Sequence, residues 1–288
     1  MRQERRIIRT ENGYDLTATV FHPSGEPVGK VLIAPAMGTR QSYYSGFATW
    51  LAERGYLVAT FDYSGTGESR VPDIRRMQVD LVDWARYDAS AVLRELATMQ
   101  PAKPLFWIGH SLGGQLLGLV THSHRIAKAI NIASGAGYWL ESPLALQLRV
   151  WWLWYVVAPI ATRVFGYFPG RKLRKVGDLP RGVMEQWRRW CLNPGYAIAS
   201  EGDGLKRSFE SVRMPIASLH VSDDELVSPA NVATLLSMYS NAARTSLEIL
   251  PGQVAGGRIG HFGFFKARFR ESLWERFLLP ELQTQSPC

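Results

Sequence analysis

Six strand-like runs recur along this chain, and what separates them limits the folds open to it. They are KVLIAPAMG (30–38), YLVATFDY (56–63), PLFWIGHS (104–111), KAINIASGA (128–136), PIASLHVSD (215–223) and RTSLEILPG (244–252). Continuous apolar runs such as the first two suit strands buried on both faces of a parallel sheet. Between the runs lie stretches with helical spacing. SYYSGFATWLAERG carries Phe47, Trp50 and Leu51 and ends at Gly55. MQVDLVDWARYDASAVLRELATMQ presents Leu81, Trp84, Ala85, Ala91 and Leu96 on one broad face and stops before Pro101. LGGQLLGLVTHSH (112–124), NVATLLSMYS (231–240) and KARFRESLWERFLLPEL (266–282) read as further helices. Strand and helix in alternation predict a mainly parallel sheet covered on both faces. RRIIRT and DLTATVFHP, joined across Asn12-Gly13, predict an opening hairpin that adds an antiparallel edge.

One stretch breaks the alternation. Residues 137–205 hold six of the ten tryptophans (139, 151, 152, 154, 187 and 190) and nine Lys/Arg against five Asp/Glu. An excursion this long between two sheet strands is not plain loop. It is expected to form a helical cap over the carboxyl edge of the sheet, inserted after the sixth strand, with 1–136 and 206–288 making the core. With 288 residues, 46% of them hydrophobic, the chain has ample apolar mass for one such core.

Active sites of parallel sheets collect at the carboxyl ends of strands. Ser111, in LFWIGHSLGG (105–114), follows a strand and precedes a helix, the context a nucleophile elbow requires. Gly109 and Gly113 allow the backbone to pass where a Cβ would clash, and Gly114 leaves room for helix packing. The Leu112 amide, at the helix start, is placed to donate to a developing oxyanion. A serine hydroxyl needs a base. Of the six histidines, His110 sits inside the elbow and should point away, while His122 and His124 fall at a helix end. His220 lies mid-strand and His22 near the edge hairpin. His261, in the glycine-rich GGRIGHFGFF, has the best address. Its acidic partner comes from SLHVSDDELVSP, where Asp223 and Asp224 compete. Asp224 is favoured because Asp-x-Leu-Val places its carboxylate just past the strand end, with a buried apolar pair expected to anchor the loop. Asp223 would be an exposed neighbour or help order the turn.

The resulting order, Ser111, Asp224, His261, is that of α/β-hydrolases, which the chain resembles across nearly its whole length. FDYSGTGES resembles the family's turn after the fourth strand, with Ser64 where arginine is usual, and IGHFGFF resembles its histidine loop. Within the superfamily the chain is similar to a group of bacterial serine hydrolases carrying PAMG, GYFPG, LP…W…WC and DDE, seen here at 35–38, 166–170, 179–191 and 223–225. The resemblance implies the α/β-hydrolase fold and a Ser-His-Asp triad. It also implies a second oxyanion donor, the Met37 amide, in the loop after the third strand.

These residues predict a serine hydrolase that cleaves a carboxylic ester or thioester of a small molecule through an acyl-enzyme, without metal or cofactor. Trp139, Trp151, Trp154 and Trp187 are candidates for binding an apolar acyl or aryl group, and equally readable as the cap's own core. An acyltransferase or thioesterase using the same triad, and a non-catalytic binding protein on the same fold, are the alternatives. Gly65-Thr66-Gly67 lacks the third glycine of a dinucleotide fingerprint, no phosphate-loop motif occurs, and no His/Cys/carboxylate group has zinc spacing. Asp62 is expected to tie its turn together.

The net charge of +8 is scattered, with no nucleic-acid-binding signature. Cys191 and Cys288 form no disulfide framework, and Cys288, as last residue, is no prenylation box. The basic N-terminus lacks the apolar core of a secretory signal. The longest uncharged apolar run, 150–162, lies between Arg149 and Arg163, contains Pro159 and is too short to span a bilayer. A cytoplasmic protein is expected, with peripheral membrane contact through 150–162 as an added expectation. The oligomeric state is open.

Overall fold

The computed structural model describes residues 2–173 and 176–283. The reading of Cys288 lies outside the described residues. Eight strands form one sheet: β1 (Arg2–Arg9), β2 (Asp15–His22), β3 (Gly29–Ala34), β4 (Tyr56–Phe61), β5 (Leu105–His110), β6 (Lys128–Ile132), β7 (Ile216–Val221) and β8 (Arg244–Ile249). Their order is β1-β2-β4-β3-β5-β6-β7-β8. The β1–β2 and β2–β4 pairs are antiparallel and every other pair is parallel.

Period-two alternation explains the layers. Leu32, Ala34, Leu57, Ala59 and Trp107 enter one apolar cluster, which also takes in the helix over 81–98. Val31, Ile33, Val58, Phe106 and Ile108 enter the other, with the helix Ser45–Glu53 and the C-terminal helix. Both faces are therefore covered, and β3, β4 and β5 are buried throughout. β8 is largely exposed and forms one edge.

The helix after β5 is shorter than its spacing predicts. Leu112–Gln115 is α-helical, a 3-10 turn follows at Leu117–Leu119, and His122 is left-handed at φ 62°. Three glycines (113, 114 and 118) weaken this helix. A Cβ at Gly118 would lie 2.6 Å from Phe209 Cδ1, so close packing takes precedence over helix length. His122 and His124 thus follow the helix rather than end it.

The segment between β6 and β7 folds over the carboxyl ends of the strands. Its main elements are the continuous helix Leu144–Phe165, the bridge Phe168–Leu179 and the helix Arg181–Cys191. Side chains fasten it to the sheet layers. Gln186 Oε1 accepts from the Leu81 and Val82 amides at the start of the 81–98 helix, at 2.7 and 3.2 Å. Tyr196 donates to Gln115 Oε1 at 2.7 Å, and Gln115 Nε2 donates to the Gly135 carbonyl.

Leu144–Phe165 is longer than the uncharged run read from sequence, because Arg149 and Arg163 lie within it. Among the described residues it is the one helix long and apolar enough, by length and composition, to cross a membrane. Here one of its faces packs into the cap: Trp154, Ala158, Ala161 and Thr162 are buried.

Asp62 ties its turn as expected. Its carboxylate accepts from the Gln41 amide at 2.8 Å and the Glu68 amide at 2.9 Å. The departure at Ser64 also has a physical account. Ser64 is fully buried, its carbonyl accepts from Trp84 Nε1, and its amide donates to Asp88 Oδ2 at 2.7 Å. Arginine would not fit there.

Burial pushes the Asp88 carboxyl up from 3.8 to about 7. Between those values the unfolded chain has lost the proton and the folded one keeps it, so stability falls as pH rises and the loss is complete above about pH 7. Asn at this position retains an acceptor for the Ser64 amide. Asp88→Asn should therefore unfold at higher urea than wild type above about pH 7, with the difference shrinking toward pH 4. An equal difference at both ends would contradict the assignment.

Candidate active site

Ser111 sits at φ 51°, ψ −112°, a conformation L-residues avoid and tight surroundings must impose. A Cβ at Gly109 would come within 2.5 Å of the Gly114 nitrogen, and one at Gly113 would run into the Ala34 carbonyl. The turn is pinned from β6: the Ser111 amide donates to the Ile132 carbonyl at 3.0 Å, and Ser134 Oγ donates to the Ser111 carbonyl at 2.7 Å. The side chain, by contrast, borders a cavity.

Asp224 and His261 meet as the sequence order suggests. His261 Nδ1 lies 2.9 Å from Asp224 Oδ2 and 3.1 Å from Oδ1, and both side chains are almost wholly buried. A carboxylate only accepts, so Nδ1 carries the proton and Nε2 keeps the basic lone pair. Asp224 Oδ1 also accepts from the Leu226 and Val227 amides, at 2.8 and 2.9 Å. The Leu-Val pair is not buried in the way its apolar character predicts: Leu226 is exposed and Val227 half-buried, and the loop is anchored through their backbone amides instead.

The neighbouring acids hold the histidine loop. Asp223 accepts from the Ile259 and Gly260 amides at 2.9 and 3.0 Å. Glu225 Oε2 accepts from the His261 amide at 3.2 Å. All three carboxylates of DDE therefore grip one loop, and Asp223 is the turn-ordering residue of the two sequence alternatives. Glu225 carries no sequence signal of its own beyond its place in DDE.

His110 does point away from Ser111. Its Nε2 donates to the His261 carbonyl at 3.1 Å, so Nδ1 is the acceptor and the Tyr44 hydroxyl donates to it at 2.8 Å. The Tyr44 oxygen in turn accepts from the Ala36 amide at 2.9 Å. Burial holds His110 well below the usual histidine range, so it stays neutral and the direction of every bond is fixed. The chain joins the 35–38 loop to the histidine loop. Tyr44 had no sequence signal, because only the fold brings it beneath both.

Met37 is nearly buried, next to Ala36. Among the described residues, neither its amide nor that of Leu112, the first helical residue, donates to a protein acceptor. A Cβ at Gly38 would lie 2.6 Å from the Gly177 nitrogen, so the cap rests directly on this loop.

The cavity beside Ser111 and His261 has a volume of about 340 Å³. Trp139, Trp154 and Trp187 line it with Leu146, Val150 and Phe168. Trp154 and Trp187 meet edge to face at 4.9 Å. Trp151 is a correction: it stands on the outer face of its helix, tilted against Trp152 and Tyr155. Helical periodicity turns 150, 153 and 154 inward and 151, 152 and 155 outward. Trp190, fully buried against Tyr196, is the cap's own core. Among the described residues no group of acidic, histidine or cysteine side chains is arranged to hold a metal.

The family described as serine aminopeptidase, S33, matches residues 25–181. The chain belongs to that family. It is a serine hydrolase of the α/β type, and the sheet described above is the α/β-hydrolase fold. Solved structures similar to this S33-family chain include a soluble variant of monoglyceride lipase from Saccharomyces cerevisiae in complex with a substrate analog. It is 15% identical with a TM-score of 0.61, over 90% of this chain and 87% of that one. A thermostable carboxyl esterase from Bacillus coagulans, in complex with glycerol, is 14% identical with a TM-score of 0.59, over 87% and 90%. The thioesterase domain of the curacin biosynthetic pathway is 16% identical with a TM-score of 0.54, over 91% and 95%. At these identities the likeness is one of fold. No curated protein sequence matches the chain.

Tyr44→Phe would strip the acceptor from Ala36 and the donor from His110, leaving buried groups unpaired at a cost of about 1–3 kcal/mol. Urea unfolding should show that loss; an unchanged midpoint would mean the chain of bonds contributes nothing.

Proposed function

We propose that this S33-family protein hydrolyses a carboxylic ester or thioester of an apolar acyl or aryl group through an acyl-enzyme on Ser111. The observation that carries the reading is the His261–Asp224 bond, with the same imidazole and Ser111 bordering one apolar cavity. Ser111 Oγ attacks the carbonyl carbon while His261 Nε2 takes the hydroxyl proton. Asp224 stabilises the imidazolium, and the Met37 and Leu112 amides receive the oxyanion. Collapse breaks the bond to the leaving oxygen or sulfur, which takes the proton from His261. Water, deprotonated by the same nitrogen, then releases the acid and restores Ser111.

The choice of an ester over an aminoacyl substrate rests on charge. An α-ammonium group needs a carboxylate beside it, and the described residues lining the cavity include none, while Arg149 stands at its border. The volume falls at the low end of small-molecule sites, which suits a short acyl chain or a single aryl ring.

Fluorophosphonate labelling is the direct test. Ser111→Ala should abolish labelling and lower kcat/KM on a short ester by at least about 10⁴-fold. Asp224→Ala should cost far more in kcat than Asp223→Ala. Across esters of rising acyl length, activity should climb and then fall once the cavity is filled. Unchanged labelling in Ser111→Ala would sink the reading, and a flat response to length would sink the acyl-binding role of the cavity.

A further inference from the structure

More than half of the exposed large apolar side chains of the described chain fall between Leu140 and Phe165. Leu144, Leu148, Trp152, Tyr155, Ile160 and Val164 make one stripe, with Leu144 81%, Leu148 82% and Val164 70% exposed. The five-residue step from Tyr155 to Ile160 would throw a plain α-helix out of register. A π-helical turn at Leu153–Val157 absorbs the extra residue and keeps the stripe on one side. Patches of this kind on a soluble surface mark an interaction face. The opposite face of the same helix, through Leu146, Val150 and Trp154, lines the cavity beside Ser111.

At the C-terminal end of the stripe lies a second cavity, of about 750 Å³, which Val164 and Phe165 line with four arginines: Arg40, Arg70, Arg75 and Arg171. Two carboxylates share it, and each is taken. Arg75 holds Asp73 through Nε at 2.7 Å and Nη2 at 3.0 Å, and Arg171 Nε faces Asp178 at 3.6 Å. Arg40 and Arg70, both exposed, have no carboxylate partner among the described residues, so the cavity carries two uncompensated positive charges. Lys172 adds a third cation nearby, over the Phe165 ring. An apolar helix face that ends in a basic cavity matches an amphiphile with an anionic head: acyl chains for the stripe, a phosphate for the arginines.

We propose that the outer face of Leu144–Phe165 seats on an anionic phospholipid surface, with a lipid phosphate held in the cavity by Arg40 and Arg70. The occupant is a lipid rather than a second copy of the chain, because two copies would bring the same arginines together. Docking stands independently of the hydrolase reading, and it sets the acyl cavity one helix thickness from the bilayer.

Flotation of the full chain with phosphatidylcholine vesicles, with and without phosphatidylglycerol, tests the proposal. Wild type should float with the anionic vesicles and lose that partition as salt rises. Arg40→Gln with Arg70→Gln should weaken partition about 25-fold, at about fivefold for each charge removed. Leu148→Glu with Trp152→Glu should abolish it. None of these side chains borders the Ser111 cavity, so fluorophosphonate labelling and the thermal midpoint should match wild type and certify folding. Labelling that fails in every form while flotation succeeds counts against the hydrolase reading alone. Equal flotation on neutral vesicles, or full retention by the arginine variant, overturns the phosphate site. A midpoint raised by inorganic phosphate without flotation assigns the cavity to a free phosphate. A dimer that Leu148→Glu with Trp152→Glu dissolves, again without flotation, assigns the face to a second copy. Either result overturns the proposal.

Discussion

The turn at Ser111 is the constraint around which the rest of the site is arranged. A residue at φ 51° is held there because β5 must reverse into a helix within one residue, under the Ala34 carbonyl on one side and Ser134 on the other. Glycine at 109, 113 and 114 is the only side-chain choice that leaves the backbone this room. Gly113 and Gly114, with Gly118, also shorten the helix that follows, and Phe209 fills the space over Gly118. Helix length has yielded to close packing at the point where the hydroxyl must project.

Polar bonds then fix the two loops that flank the turn. Asp223, Asp224 and Glu225 together take up the Ile259, Gly260 and His261 amides and the His261 ring nitrogen. On the far side, Ala36, Tyr44, His110 and the His261 carbonyl form one directed chain. Each member is buried, where an unpaired group would cost most, so loosening one bond exposes the next. The loop carrying Met37 and the loop carrying His261 are thus held by a common set of bonds that avoids Ser111 itself. That arrangement leaves the serine hydroxyl with the cavity as its neighbour.

The cap divides its tryptophans by function of position. Trp190 packs its interior, Trp139, Trp154 and Trp187 face the cavity, and Trp151 and Trp152 face outward. The helix Leu144–Phe165 is hydrophobic on both its inner stripe, which lines the cavity, and its outer, exposed stripe. A surface helix of a globular protein would carry polar residues on the second stripe. This departure leaves an apolar outer face that ends at a cavity lined by arginines.

Much of this was legible in the order of residues. Strand runs alternating with helical spacing defined the parallel sheet, because burial on both faces leaves an unbroken apolar signature. The glycines around Ser111 marked a tight turn, and the order of Ser111, an acid at 223 or 224 and His261 resembled that of α/β-hydrolases. Tertiary structure alone decided the rest. Asp223 and Asp224 are adjacent carboxylates of the same chemistry, and only the direction each faces separates the one that meets the imidazole from the one that meets backbone amides. Tyr44 lies only six residues after PAMG but belongs to no motif, and it enters the site only because β3 and β5 are neighbours, which brings His110 against it. Trp151 and Trp154, three positions apart and chemically identical, would stand only about 60° apart on a plain α-helix, yet Trp154 is buried against Trp187 and Trp151 is exposed, a difference that the packing of the cap decides. Sequence sets which groups are present and their local periodicity; which way each group faces is fixed by packing between segments far apart in the chain.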